Sequence, residues 1–361
     1  MSGSNTKTDL SSDVLTRLTV FQVGETAYKA VWSYHHILMD GWCLGILVRE
    51  LLEYYQSQSM KKGQKPALKP ALQYSTYIRW LEHADRESSR QYWADYLAGY
   101  EQLATLPKTR DNTDRQKELS KIVGSQLSEN STKRLQELAA AQQVTVNTVI
   151  QSLWGILLSH YNANDDVVFG VAVSGRPTDI PGVEEIVGLF LNTVPLRVRT
   201  HKAQRFDELI RKVQAESLSG EPHHYYSLAE IQSASEIKQD LLDHVFIFQN
   251  FPLSEELYNI RKEFKTDFSI DELDIFEQTS YDLSIEVNPG KQMGMDLRYN
   301  TQIFREEMMK QITEQLVQII EVVINKPEIT VGEVKAALVS KEEEQEHAAF
   351  LNAAMKIDEE F

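Results

Sequence analysis

The chain has 361 residues, 42% of them hydrophobic, and its 37 Lys and Arg against 53 Asp and Glu leave a formal charge of −16. That length exceeds what one core usually serves, so two domains or lobes are expected, and the acidic field excludes nucleic acid as a general partner. The polar start (residues 1–9, MSGSNTKTD) lacks the apolar core of a signal peptide, no stretch reaches membrane-spanning length, and Cys43 is the only cysteine, so the expectation is a cytoplasmic protein with no intrachain disulfide and no membrane partner.

In chain order, residues 15–23 (LTRLTVFQV) alternate like a strand, Gly24-Glu25 form a turn, and residues 28–34 (YKAVWSY) read as a buried strand through Val31, Trp32 and Tyr34. The pair is expected as a hairpin at the edge of a larger sheet. His35-His36-Ile37-Leu38-Met39-Asp40-Gly41-Trp42 follows. Leu44, Leu47, Val48, Leu51, Leu52 and Tyr55 then recur at helical spacing, which puts Asp40 where a helix N-cap would stand. A basic Pro-containing loop (61–70) leads to two aromatic-bearing helices, 74–81 and 89–100, and the polar run 108–117 marks a lobe boundary.

From there the pattern restarts. A strand near Ile122 precedes helices 128–141 and 145–158, with Ser131 or Thr145 as caps, and a strand follows at 167–173. Residues 187–199 (VGLFLNTVPLRVR) run from a loop into a strand whose Pro195 suggests an edge position or the beginning of pairing. Then come helix 206–218, a His- and Tyr-rich loop (221–227), helix 228–233, strands 243–249, 283–287 and 293–299, an amphipathic helix 306–324, and a charged tail 341–361. The expected boundaries are an N-terminal lobe 1–107, a linker 108–121, a C-terminal lobe 122–340 and a charged helix or linker 341–361. The class is α/β, an α+β sandwich of two similar lobes with the site in the cleft between them.

A strand that ends in two imidazoles and turns through Asp-Gly into a helix places a titratable ring beside exposed backbone N–H groups, a pairing suited to acyl transfer. Cys43, in an apolar helix after Trp42, reads as an inert packing thiol. His223 and His224 do not combine with His35 and His36 into the local spacing of a metal site, so no metal is expected. Neither a Walker loop nor a nucleophile elbow occurs.

Several stretches together resemble the condensation domain of nonribosomal peptide synthetases, of the chloramphenicol acetyltransferase-like superfamily. His35 to Gly41 has the form HHxxxDG; 74–80 (YSTYIRW) looks like the family's aromatic segment; 187–193 (VGLFLNT) looks like its G-x-F-x-N-T element. SGRP at 174–177, YYSLAEIQ at 225–232 and FQNFPL at 248–253 fall in the expected order, and the resemblance runs from about Leu10 to about Val334.

The resemblance implies two chloramphenicol-acetyltransferase-like lobes and peptide-bond formation between a donor acyl thioester and the α-amine of an aminoacyl acceptor. Both substrates are carried on 4'-phosphopantetheine arms of partner carrier proteins, and the domain binds no cofactor of its own. The partners implied are an upstream donor carrier, a downstream acceptor carrier and a neighbouring adenylation domain. HHILMDGWCLG with YYSLAEIQ looks most like the subclass joining an L-donor to an L-acceptor.

His36 is assigned to the amine, Gly41 to the oxyanion through its N–H, and His35 to a structural place behind the site. Asp40 is assigned to an ion pair with Arg176 that fixes the loop, and Trp42, Asn192, Thr193, Tyr281 and Ser284 to the tunnel wall. The family's S-x-A-Q-x-R-like and R-H-E-x-L-R-T-like elements do not occur here, and His35 lies 34 residues from Met1. The first lobe is therefore expected to be truncated, with exposed sheet edges favouring self-association. A noncatalytic docking module for carrier or partner proteins is the alternative. Epimerisation, heterocyclisation and free acyltransferase relatives fit the motifs less well.

Overall fold

The structure, a computed structural model, describes residues 9–60, 70–109, 120–249 and 280–338. By contact the chain forms two compact units: of the described residues, the first takes those up to 84 and 174–191, the second the remainder. Segment 174–191 thus groups with the N-terminal elements although it lies inside the stretch 122–340, and the second unit begins at 85 rather than beyond 107. Most of the expected linker, all of the tail 341–361 and most of FQNFPL lie outside the described residues.

In the first unit, β1 (Thr16–Gln22) pairs antiparallel with β2 (Tyr28–Tyr34), placing Leu18 opposite Trp32 and Val20 opposite Ala30. Among the described residues this is a two-stranded sheet of its own, not the edge of a larger one. Both strands are exposed almost throughout, Val31 by 48% and Trp32 by 36%, which corrects the expected burial of β2. Aromatic and β-branched residues show that a face can be buried; they do not supply the element that buries it.

A 3₁₀ turn (His36–Leu38) leads to α1 (Trp42–Met60), and α2 (Ser75–His83) follows. The core of this unit is small: Tyr77, Ile180, Val183, Ile186 and Phe190, with Tyr74, Trp80 and Leu81 against it.

The second unit opens with α3 (Arg86–Leu97), three residues before the expected onset, because the Asp85 carboxylate caps it by accepting from the Ser88 N–H at 2.9 Å. β3 (Ser120–Gln126), α4 (Glu129–Ala141), α5 (Val146–Asn162), β4 (Asp166–Val173) and β5 (Asn192–Arg199) come next. Ser128, not Ser131, caps α4; Thr145 caps α5. Every residue of α5 from Thr148 to Ser159 is buried, and Gly155 lets it lie close to β5, where a Cβ would come within 2.7 Å of Val198.

α6 (Phe206–Gly220), α7 (Leu228–Ala234), β6 (Val245–Phe248), β7 (Leu283–Asn288), β8 (Gly294–Asn300), α8 (Glu306–Asn325) and α9 (Val331–Ala336) complete the unit. The sheet runs β3-β8-β7-β6-β4-β5, with β6 parallel to both β4 and β7 and the other pairs antiparallel. Among the described residues β5 is an edge, where Pro195 needs no ladder N–H. The result is an α+β fold with a six-stranded mixed sheet. No helix among the described residues is long and apolar enough to cross a membrane.

Candidate active site

β2 ends at Tyr34 and delivers two imidazoles in succession. His35 keeps extended backbone (φ −81°, ψ 134°) and its Nδ1 accepts from the Ile37 N–H at 3.1 Å, closing the 3₁₀ turn. An accepting Nδ1 leaves the ring proton on Nε2, so His35 is a structural cap. The half-buried His36 imidazole makes no hydrogen bond to any described residue. Of the pair, it is the ring whose nitrogens are uncommitted among the described residues.

Asp40, 2% exposed, is not a helix cap. Its Oδ2 accepts from the N–H groups of Phe190 (3.0 Å) and Leu191 (3.3 Å), and its Oδ1 meets Arg176 Nη2 at 3.2 Å and Cys43 Sγ at 3.3 Å. Arg176 continues the lock: Nη1 donates to the carbonyls of Val183 (2.6 Å) and Ile186 (2.9 Å), and its guanidinium carbon lies 4.1 Å from the Phe190 ring centroid and 5.7 Å from that of Trp42. Trp42 Nε1 donates to the Glu184 carbonyl at 2.9 Å. The two charges are buried together, with side chains 6% and 3% exposed; the hydrogen bonds and ring faces offset much of the desolvation, while Arg176 Nε is buried without a hydrogen-bond partner among the described residues. A carboxylate committed this way ties its loop to the 190–191 backbone. Gly41 is buried immediately before α1.

The other wall candidates belong to the second unit. Asn192 Nδ2 donates to the carbonyls of both His224 and Tyr226 at 2.8 Å, and its Oδ1 accepts from the Thr193 N–H at 2.9 Å, so this side chain clamps the 221–227 loop to β5. Tyr281 hydrogen-bonds Thr193, while burial raises its hydroxyl pKa. Ser284 is fully buried on β7 and donates to Glu286 Oε1 at 3.0 Å; Glu286 in turn pairs with Arg298 at 2.8 Å. The structure therefore brings His35, His36, Asp40, Gly41, Trp42 and Arg176 together in one unit, and Asn192, Thr193, Tyr281 and Ser284 in the other.

A family model for the condensation domain matches residues 2–347. This chain is a condensation domain. It is 40% identical over 315 residues to bacitracin synthase 3 of Bacillus licheniformis, covering 87% of this chain and 5% of that protein. It is 38% identical over 341 residues to gramicidin S synthase 2 of Brevibacillus brevis, covering 93% and 8%. The condensation domain thus spans less than a tenth of either relative.

Among solved structures, the X-domain from teicoplanin biosynthesis aligns with TM-score 0.73 at 18% identity, over 90% of this chain and 75% of that one. The first condensation domain of the calcium-dependent antibiotic synthetase, in complex with a substrate analogue, aligns with TM-score 0.65 at 16% identity, over 88% and 69%. These likenesses concern the fold.

Two side chains of the condensation domain gain a place that sequence reading did not give them. Cys43 is fully buried, as a packing thiol should be, yet its Sγ lies 3.3 Å from the Gly188 carbonyl and 3.4 Å from the Gly188 N–H, besides Asp40. Burial raises its pKa, and the Asp40 charge adds to this, so it remains a thiol rather than a nucleophilic thiolate. Tyr74 donates to the Leu189 carbonyl at 2.5 Å. The only available signal was the order of the motifs; their meeting is tertiary. Among the described residues no three His, Cys, Asp or Glu side chains converge as metal ligands would.

Proposed function

We propose that the domain forms a peptide bond between a carrier-tethered donor thioester and the α-amine of a carrier-tethered aminoacyl acceptor, in the L-to-L sense. The observation that carries the reading is the contrast at the HHxxxDG loop: among the described residues His36 has an unengaged ring, on a loop whose neighbours, His35 and Asp40, are committed. The amine nitrogen attacks the thioester carbonyl, the C–N bond forms, the C–S bond breaks, and the ammonium proton leaves as the phosphopantetheine thiolate departs. A neutral α-amine, with a pKa of about 8, needs little activation. The gain comes from alignment of two tethered groups, for which effective molarities reach about 10⁵ M or more.

His36 hydrogen-bonds the amine and receives its proton, and the Gly41 N–H supports the oxyanion near the α1 N-terminus. Within the first unit Trp42 is the candidate for contact with a tethered group; within the second, Thr193 and Tyr281 are, and Asn192 and Ser284, with their polar atoms engaged, support them. The phosphopantetheine arms belong to upstream and downstream carrier proteins, and an adenylation domain supplies the acceptor's aminoacyl group.

The test is incubation with donor and acceptor carriers loaded with simple amino acids, read by intact mass. A dipeptidyl acceptor carrier with wild type and its loss in His36→Ala support the reading; no product with wild type refutes it. A second reading, a noncatalytic module that binds a partner protein, is favoured by one observation. An X-domain of similar fold, at TM-score 0.73, was solved in complex with a protein partner, OxyB. Binding of loaded carriers without product is the outcome it requires.

A further inference from the structure

Residues 183–191 form a strap whose backbone polar groups are held one after another by side chains. Arg176 takes the Val183 and Ile186 carbonyls, Trp42 the Glu184 carbonyl, and Asp40 the Phe190 and Leu191 N–H groups. Between these grips, the Cys43 thiol spans the N–H and carbonyl of Gly188, and the Tyr74 hydroxyl holds the Leu189 carbonyl. The Tyr74 ring lies edge-on to Phe190 (centroids 5.3 Å apart, 87°) and directly against Gly188, where a Cβ would fall 2.0 Å from Cδ2.

We propose that Tyr74 and Cys43 are positioning residues for the reaction. They fix Gly188 and Leu189 so that the next two N–H groups meet the Asp40 carboxylate, which sets the loop presenting His36. The order of grips carries the argument. Asp40 can hold Phe190 and Leu191 only where the chain reaches them in one orientation, and that orientation is set two residues earlier by a hydroxyl, a thiol and a glycine with no room for a side chain. A half-buried tyrosine present only as filler could leave its O–H to water, whereas this one gives it to the Leu189 carbonyl. The catalytic half of the inference rests on the acyl-transfer reading; the strap itself does not.

Tyr74→Phe removes one oxygen and keeps the ring. Two measurements follow on the purified protein: labelling of Cys43, the single thiol, by a small thiol reagent, and turnover to the dipeptidyl carrier. We expect labelling to accelerate by about tenfold or more and turnover to fall by about tenfold, with KM for the loaded carrier within about twofold. Gly188→Ala gives the same pattern. For Cys43 itself, Cys43→Ser, which keeps a donor and an acceptor, retains more turnover than Cys43→Ala or Cys43→Val. Unchanged labelling and turnover in Tyr74→Phe overturn the proposal, as do faster labelling with unchanged turnover, or Cys43→Val equal to Cys43→Ser. If wild type makes no product, the acyl-transfer reading fails while the labelling arm still decides whether the strap exists.

Discussion

Replacing Arg176 by Ala tests the lock directly, because this side chain joins a buried charge, two carbonyls and two aromatic rings. Its Nη2 meets Asp40 at 3.2 Å with the two side chains 6% and 3% exposed, so its removal strands a carboxylate away from water. Breaking a buried pair from one side costs about 3–5 kcal/mol. The Val183 and Ile186 carbonyls also lose their donor, whereas Asp40 retains the Phe190 and Leu191 N–H groups and the Cys43 thiol. These opposing corrections place the cost near the lower end, about 3 kcal/mol, or roughly 4 °C in Tm at about 2.1 cal/mol/K of unfolding entropy per residue over 361 residues. Arg176→Lys keeps the charge but cannot reach two carbonyls and a carboxylate in one plane, so it falls between the two. Thermal unfolding followed by circular dichroism, alongside dipeptidyl-carrier formation, reads both effects. A wild-type melting curve with wild-type turnover in Arg176→Ala would refute the reasoning, since it would mean that Asp40 is held without its partner.

Three further outcomes are expected. His36→Ala leaves Tm within about 1 °C, because the ring holds nothing among the described residues, and lowers turnover by about 10²-fold in single-turnover assays. Asn192→Asp replaces a double donor by an acceptor facing the His224 and Tyr226 carbonyls, and destabilises by about 2–4 kcal/mol in urea titration, more than Asn192→Ala. Burial, with His223 adding to it, lowers His224 from 6.5 to about 4. A lowered histidine pKa means that the folded state binds the proton less readily than the unfolded chain does. This histidine therefore costs no stability above about pH 6.5, and stability falls as pH drops toward 4 by up to about 3 kcal/mol at roughly 1.4 kcal/mol per unit. His224→Gln flattens that part of the pH profile in denaturant midpoints, and an unchanged slope would count against the assignment.

The strand-to-helix reading around His35 and His36 succeeded because both flanking signals are local: aromatic and β-branched content through Tyr34, helical spacing from Trp42. Pro195 narrowed β5 to an edge or the beginning of pairing through its own constraint, and the strand order makes it an edge among the described residues. Asp40 misled as a cap because an acid before a helix has two common uses, and the choice between them depends on N–H groups 150 residues away in sequence. Val31 and Trp32 misled because apolar character does not state what covers it.

By itself the sequence determined which residues could do chemistry at the loop, two imidazoles and an Asp-Gly turn at a strand-to-helix junction, together with the order of motifs that marks a condensation domain. Only the tertiary structure decided which of these groups are free. It engaged His35 with Ile37 N–H, Asp40 with Arg176 and the 190–191 backbone, Asn192 with two loop carbonyls and Cys43 with Gly188, and among the described residues it left His36 without such a partner. Spacing fixes the local conformation of a residue; its hydrogen-bond partners come from distant segments, and those partners separate a group that anchors from a group that reacts.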